Sequence, residues 1–165
     1  MSIKRISKHL LLNRWRVRRA FPRHSLLAIE RAIKDSETKH EGQIRFVVEG
    51  ALDGGPLFAN QSPRARAIDV FSRLRVWDTE QNNGVLIYLL LADRDVEIVA
   101  DRGIDKKVGH AAWNAICNAM EDDFRHRRFE MGALRGIADV TAHLIANFPA
   151  SGAHKNELPD KPLVL

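Results

Sequence analysis

A chain of 165 residues, 45% hydrophobic and with a formal charge of +5, holds enough apolar matter for one domain with a buried core. Its single cysteine, Cys117, excludes an intramolecular disulfide and a cysteine-based zinc centre. No segment approaches the roughly 18 apolar residues that a membrane-spanning helix needs.

The cations are unevenly spread. Residues 1–23 carry eight (Lys4, Arg5, Lys8, Arg14, Arg16, Arg18, Arg19 and Arg23) and no acid. Taking those from the 26 Lys and Arg leaves 18 against 21 Asp and Glu, about −3 for the rest of the chain. This composition describes a weakly acidic domain, residues 24–149, behind a basic arm, residues 1–23. In the arm Ile3, Ile6 and Leu10 share a helical face, with Trp15 beyond them. Such an amphipathic segment can lie on an anionic membrane surface or an acidic protein partner, or fold back on the domain with its cations solvated. No nucleic-acid reading module accompanies the charge. The apolar run at residues 10–12 is too short for a signal-peptide core, so the expected compartment is the cytoplasm, at most peripheral to a membrane.

Pro22 breaks the arm. Ser25 is the expected N-cap of a helix carrying Leu26, Ile29 and Ile33 on one face, closed by Gly42. Residues 43–49 alternate as a strand, and residues 50–61, with Gly50, Gly54, Gly55 and Pro56, read as a loop. Ser62-Pro63 is a strong helix start, since proline at the first helical position lacks an N–H that would go unused. That helix is expected to bury Ile68, Phe71 and Leu74.

From Gly84 to Ala92 the chain is almost unbroken apolar sequence, a strand covered on both faces. Asp93, Arg94 and Asp95 then turn it into a second, antiparallel strand at 96–100. Asp105 is the expected cap of a long helix with Trp113, Ile116, Cys117, Met120 and Phe124 at helical spacing. Arg125-His126-Arg127-Arg128 breaks it from a last helix striped by Leu134, Ile137, Val140, Thr141, Leu144 and Phe148. Pro149 closes the domain, and residues 150–165 read as a disordered tail. The class is α/β: three or four strands, parallel and antiparallel, with helices on both faces.

The hairpin brings the start of one strand beside the end of the next. That edge collects Asp78, Glu80, Asn82 and Asn83 with Asp101, Arg102 and Asp105. Oxygen-bearing side chains on converging loops suit a hard cation such as Ca²⁺ or Mg²⁺. Arg102 beside an ion could hold phosphate. The same residues also make good turns and caps. Nucleotide-binding, nucleophile-elbow and zincin signatures are absent, and the arginine that a cysteine phosphatase loop requires is replaced by Asp123. Cys117 fits a packed core residue, and His126 and His143 have no visible catalytic partner.

The residues RLRVWDTEQ, Asn82-Asn83-Gly84, the Asp93-Arg94 turn, the Arg102-Gly103-Ile104-Asp105 exit and FRHRRFEMGALRGI, in that order and spacing, resemble the TPM domain family. The family occurs in thylakoid lumen proteins of photosystem II repair and in many bacterial proteins. The resemblance covers about residues 24–149 and implies a three-layer α/β/α sandwich with a small mixed sheet. It also implies divalent cation binding and, by likeness to a plant member, weak acid phosphatase activity. Bacterial members often carry membrane anchors. Asn82 stands where the family usually has an acid. Asp105 matches a later acidic position, and Asp101 replaces the first glycine of a Gly-x-Gly-x-Glu pattern.

Two functions follow as expectations. The first is a cytoplasmic accessory domain meeting a membrane-associated or acidic protein partner through residues 1–23, with a Ca²⁺ or Mg²⁺ site on Asp78, Asn82, Asn83, Asp101 and Asp105. The second is a metal-dependent phosphatase with Asp101, Arg102 and Asp105 as its catalytic candidates.

Overall fold

The structure, a computed structural model, describes Arg5, His9 and residues 14–52, 54–152 and 156–165. Ile3, Ile6 and Leu10, the expected apolar face of the arm, lie outside the described residues.

The elements follow in chain order: α1 (Arg14–Ala20), α2 (Arg23–Glu37), β1 (Gln43–Glu49), α3 (Gly54–Phe58), α4 (Pro63–Arg73), β2 (Gly84–Leu90), β3 (Asp95–Ala100), α5 (Arg102–Val108), α6 (His110–Arg125), α7 (Phe129–Asn147) and β4 (Leu163–Val164). The four strands form one sheet in the order β3-β2-β1-β4. β1 pairs parallel with β2, from Gln43 opposite Gly84 to Glu49 opposite Leu90. β2 pairs antiparallel with β3, from Val85 opposite Ala100 to Leu90 opposite Asp95.

Strand alternation divides the core in two. Ile44, Phe46, Val48, Val85, Ile87, Leu89, Val96 and Ile98 face α2, α6 and α7. Val47, Leu86, Tyr88, Leu90 and Val99 face α3, α4 and the C-terminal segment. The result is the expected three-layer α/β/α sandwich, and every residue of β2 is buried.

Several local expectations shift. α2 begins right after Pro22, so Ser25 lies inside its first turn and its hydroxyl donates to Glu130 Oε2 at 2.5 Å. That helix ends at Glu37, before Gly42. The loop at 50–61 contains α3. Ser62 does cap α4, accepting from the Ala65 N–H at 3.1 Å. However, α4 buries Ala67, Val70 and Phe71 and leaves Ile68 46% exposed. Its rotation is fixed by Arg66, which lies one turn before Val70 on the same face and reaches beneath to Glu49.

The long helix expected after residue 103 is two helices. Gly109, at φ +83°, interrupts the run, and Asp101 rather than Asp105 caps α5 by accepting from the Arg102 N–H at 2.7 Å.

The tail expected to be disordered is ordered over 156–165. Gln43 Oε1 accepts from the N–H groups of Glu157 and Leu158, both at 2.8 Å. The Arg45 guanidinium donates to the carbonyls of Pro159 at 2.5 Å and Lys161 at 2.6 Å. Leu163 and Val164 then pair parallel with Val47 and Val48. The cause is the outer edge of β1, whose backbone and inward polar side chains need partners when buried.

α1 is also less of a free arm than the charge count suggests. Val17 and Phe21 are 5% and 2% exposed within the core. Upstream, Arg5 pairs with Asp93 at 2.9 Å. His9 Nδ1 accepts from the Leu52 N–H at 2.9 Å, which leaves Nε2–H to donate to Asp93 Oδ1 at 3.1 Å. Against the opposing effect of burial, these hydrogen bonds hold the Asp93 carboxyl below its ordinary range.

Candidate functional site

The loop edge forms where β2 starts and β3 ends, and Gly84 is what lets it close. Its backbone passes so near Val76 that a Cβ would lie 2.0 Å from the Val76 carbonyl oxygen. Gly84 O accepts from the Asp101 N–H at 2.8 Å, which sets Asp101 at the N-terminus of α5. Asn82 adopts φ +53°, a left-handed turn conformation that asparagine tolerates. Its carbonyl accepts from the Ile104 N–H at 3.3 Å, and its Oδ1 accepts from Arg102 Nε at 3.4 Å.

The expected residues therefore share an edge without forming one cage. Asp78 is exposed and paired with Arg75 at 2.7 Å. The exposed Glu80 makes no side-chain contact there among the described residues; its N–H donates to Glu157. Asp105 Oδ1 accepts from Trp113 Nε1 at 3.0 Å, bracing α5 against α6. Asn83 is 1% exposed, and its amide nitrogen donates to the Glu41 carbonyl at 3.0 Å.

Two oxygens stand out: Asn83 Oδ1 and Asp101 Oδ2 are buried and make no hydrogen bond among the described residues. Buried orphan oxygens are costly, and hard cations use donors of this kind. The fit is partial. No trio of His, Cys, Asp or Glu side chains able to hold a metal ion forms among the described residues.

A polar cluster that the sequence reading missed lies at the other end of the strands. Arg66 grips Glu49 with both Nε and NH2, at 2.9 and 2.8 Å, and the Tyr88 hydroxyl donates to Glu49 Oε2 at 2.7 Å. Burial and the neighbouring carboxylate push the Tyr88 phenol well above its ordinary range. The available signal was Tyr88 itself, the one polar-tipped side chain in GVLIYLL. Cys117 is buried, and burial pushes its thiol up to about 12. His126 is exposed on the α6 elbow, and His143 packs edge-on against Trp113.

The family model of the TPM domain matches residues 21–143. The chain belongs to the TPM domain family. This TPM domain is similar to the BA42 protein of the psychrophilic bacterium Bizionia argentinensis, with 30% identity and a TM-score of 0.73 over 86% of this chain and 93% of that one. Its fold is also that of the N-terminal domain of a P. gingivalis protein, with 15% identity and a TM-score of 0.62 over 81% and 82% of the two chains. The N-terminal domain of the cg2496 protein of Corynebacterium glutamicum is similar in the same way, with 16% identity and a TM-score of 0.57 over 82% and 80%. A comparison with curated proteins finds no match. α1 and the segment carrying β4 fall outside the residues matched to the TPM family. No helix among the described residues is long and apolar enough to cross a membrane.

Proposed function

We propose that this TPM domain is a cytoplasmic accessory domain that meets an acidic protein or a membrane-associated partner through the outer face of α1. The observation that carries the reading is the two-sidedness of that helix. Val17 and Phe21 are sunk into the core, whereas Trp15 is 61% exposed and Arg16, Arg18 and Arg19 face solvent. Folding back and presenting cations are thus compatible in one short helix. An exposed tryptophan among arginines suits a surface that is anionic and partly apolar.

Because Val17 and Phe21 belong to the core, deletion of residues 1–23 would confound binding with folding. Charge reversal at Arg18 together with Trp15→Ala leaves the packed face intact. The probes are phosphatidylcholine vesicles with and without phosphatidylserine, for a membrane, and poly-glutamate, for an acidic protein. The expected result is salt-sensitive binding to one of these that the double variant loses. No binding of either at physiological ionic strength rejects the reading.

The loop edge adds a divalent cation in this proposal. Asp101 Oδ2 and Asn83 Oδ1 would hold it, and it would supply a fixed positive charge where the edge has buried oxygens without partners among the described residues. Saturable amide shifts at 82–84 and 101–103 on titration with Ca²⁺ or Mg²⁺, lost in Asp101→Asn, are expected. Their absence at millimolar metal leaves Asp101 as a helix cap only. Phosphomonoester hydrolysis draws no separate support from the described residues, since Arg102 rests on Asn82 and Asp105 is engaged by Trp113.

A further inference from the structure

At the end of β2 away from the loop edge, a cleft of about 580 Å³ opens between α1 and the elbow joining α6 to α7. Its floor is apolar, from Leu89, Leu91, Phe124 and Phe129. Its rim is cationic, with Arg16 and Arg19 from α1, Arg94 from the hairpin turn, and Arg125 and Arg127 from the elbow. No carboxylate lines it among the described residues. Arg125 is committed to Glu121 at 3.0 Å, and Arg19 lies over the Trp15 ring at 5.3 Å. Arg94 and Arg127 make no ion pair among the described residues.

The backbone makes this arrangement more than a chance of charge. Arg94 and Arg127 have φ of +57° and +60°, the left-handed region that side chains disfavour and glycine accepts freely. Arg127 closes α6: its N–H donates to Phe124 O at 3.0 Å, and the Arg128 N–H donates to Asp123 O at 2.9 Å. Helices that end in this pattern usually place glycine at the left-handed position. Arg94 occupies a turn position where glycine or asparagine would be easier. Three arginines among the described residues, Arg75, Arg94 and Arg127, thus sit where the backbone argues against them, and two of the three line this cleft. Residues held in unfavourable backbone conformations are a pointer to function.

We propose that this cleft binds a small phosphorylated ligand carrying a flat ring, of the nucleoside diphosphate class. Its volume falls within the roughly 300–1,000 Å³ of small-molecule sites. Several like charges around so small a space call for a ligand with several negative charges on few atoms. Guanidinium forks match phosphate oxygens in pairs. The exposed Trp15 ring, with Arg19 lying over it, lines the cleft and offers an aromatic surface for the ring. In α/β sheets, ligands characteristically bind beyond the carboxyl ends of the strands, and the cleft lies at that end of β2. The cleft shares Trp15, Arg16 and Arg19 with the α1 surface of the function proposed above, but Arg94 and Arg127 lie outside α1, so variants at these two test the cleft by itself.

The test is calorimetric titration of the full chain with ADP, alongside adenosine, pyrophosphate and vesicles containing phosphatidylserine. ADP is expected to bind saturably with a Kd below about 100 µM. Pyrophosphate should bind at least about tenfold more weakly, and adenosine should give no measurable heat. Arg94→Gly and Arg127→Gly should each weaken ADP about tenfold or more while thermal stability holds or rises, because glycine accepts both backbone conformations. Unchanged ADP affinity in both variants, or no binding of ADP at about 1 mM, overturns the proposal. Binding to the vesicles without binding of ADP overturns it too.

Discussion

Glu37 gives the sharpest stability prediction. It closes α2, is 5% exposed, accepts from the Ile44 N–H at 3.1 Å and lies beside Asp160 of the C-terminal segment. Burial, and then the nearby Asp160 carboxylate, push its carboxyl up to about 8 from an ordinary 4.5, although the Ile44 N–H works the other way. Below pH 4.5 both the folded and the unfolded chain hold this proton. Between pH 4.5 and 8 only the folded chain does, so stability falls as the pH rises through that window and levels off above it. The gap corresponds to a loss on the order of 5 kcal/mol as an upper figure. Glu37→Gln keeps an acceptor for Ile44 and a donor toward Asp160 and removes the titration. Urea unfolding of both proteins from pH 5 to 8 should show the variant gaining about 2–5 kcal/mol over the parent by pH 8, with little gain at pH 5. A difference that stays constant across this range, or a variant weaker at pH 8, would refute the reasoning.

Gly84→Ala forces a methyl group onto the Val76 carbonyl and should cost at least about 2 kcal/mol, seen as a thermal midpoint lower by roughly 4–8 °C; an unchanged midpoint contradicts the close approach. Leu158→Ala should cost about 2–3 kcal/mol, because Leu158 is 8% exposed in the second core cluster; a surface-like effect below about 0.5 kcal/mol in denaturant unfolding would place the segment off the domain. Cys117, its thiol pushed up to about 12, should react with a thiol reagent at pH 8 only as fast as the protein opens, so that labelling accelerates with urea; rapid labelling of the native chain would count against its burial.

What the sequence disclosed followed from how local each signal was. The hairpin was legible because nine nearly unbroken apolar residues, a polar turn and an alternating strand lie side by side. The start of α4 was legible because Ser62 and Pro63 each act within one turn of themselves. Its buried face was not, since Ile68 looks more apolar than Ala67 until the Arg66–Glu49 pair fixes the rotation across 17 residues of sequence. Asp105 looked like a cap because nothing local reveals that Gly109 divides the helix, which hands capping to Asp101. β4 is only two residues long, too short to show a period, and is held by partners more than 100 residues away. At the loop edge the sequence rightly gathered the polar residues. It could not say that Asp78 and Asp105 have engagements of their own while Asn83 and Asp101 keep an oxygen spare.

The way β1 is finished on its outer side bears on how this protein behaves in a crowd. β4 covers only Val47 and Val48, and the rest of that margin is guarded by Arg45 and Gln43 reaching for the carbonyls and N–H groups of a non-strand segment. Side chains thereby do what a further strand would do, and they cannot be extended by another copy of the chain. If residues 156–165 were clipped away by a protease, the uncovered margin of β1 would offer unpaired backbone along QIRFVVE, a β-branched and aromatic stretch. Such a margin is a template for strand-to-strand self-association. The C-terminal segment therefore covers an edge that would otherwise be open to such pairing.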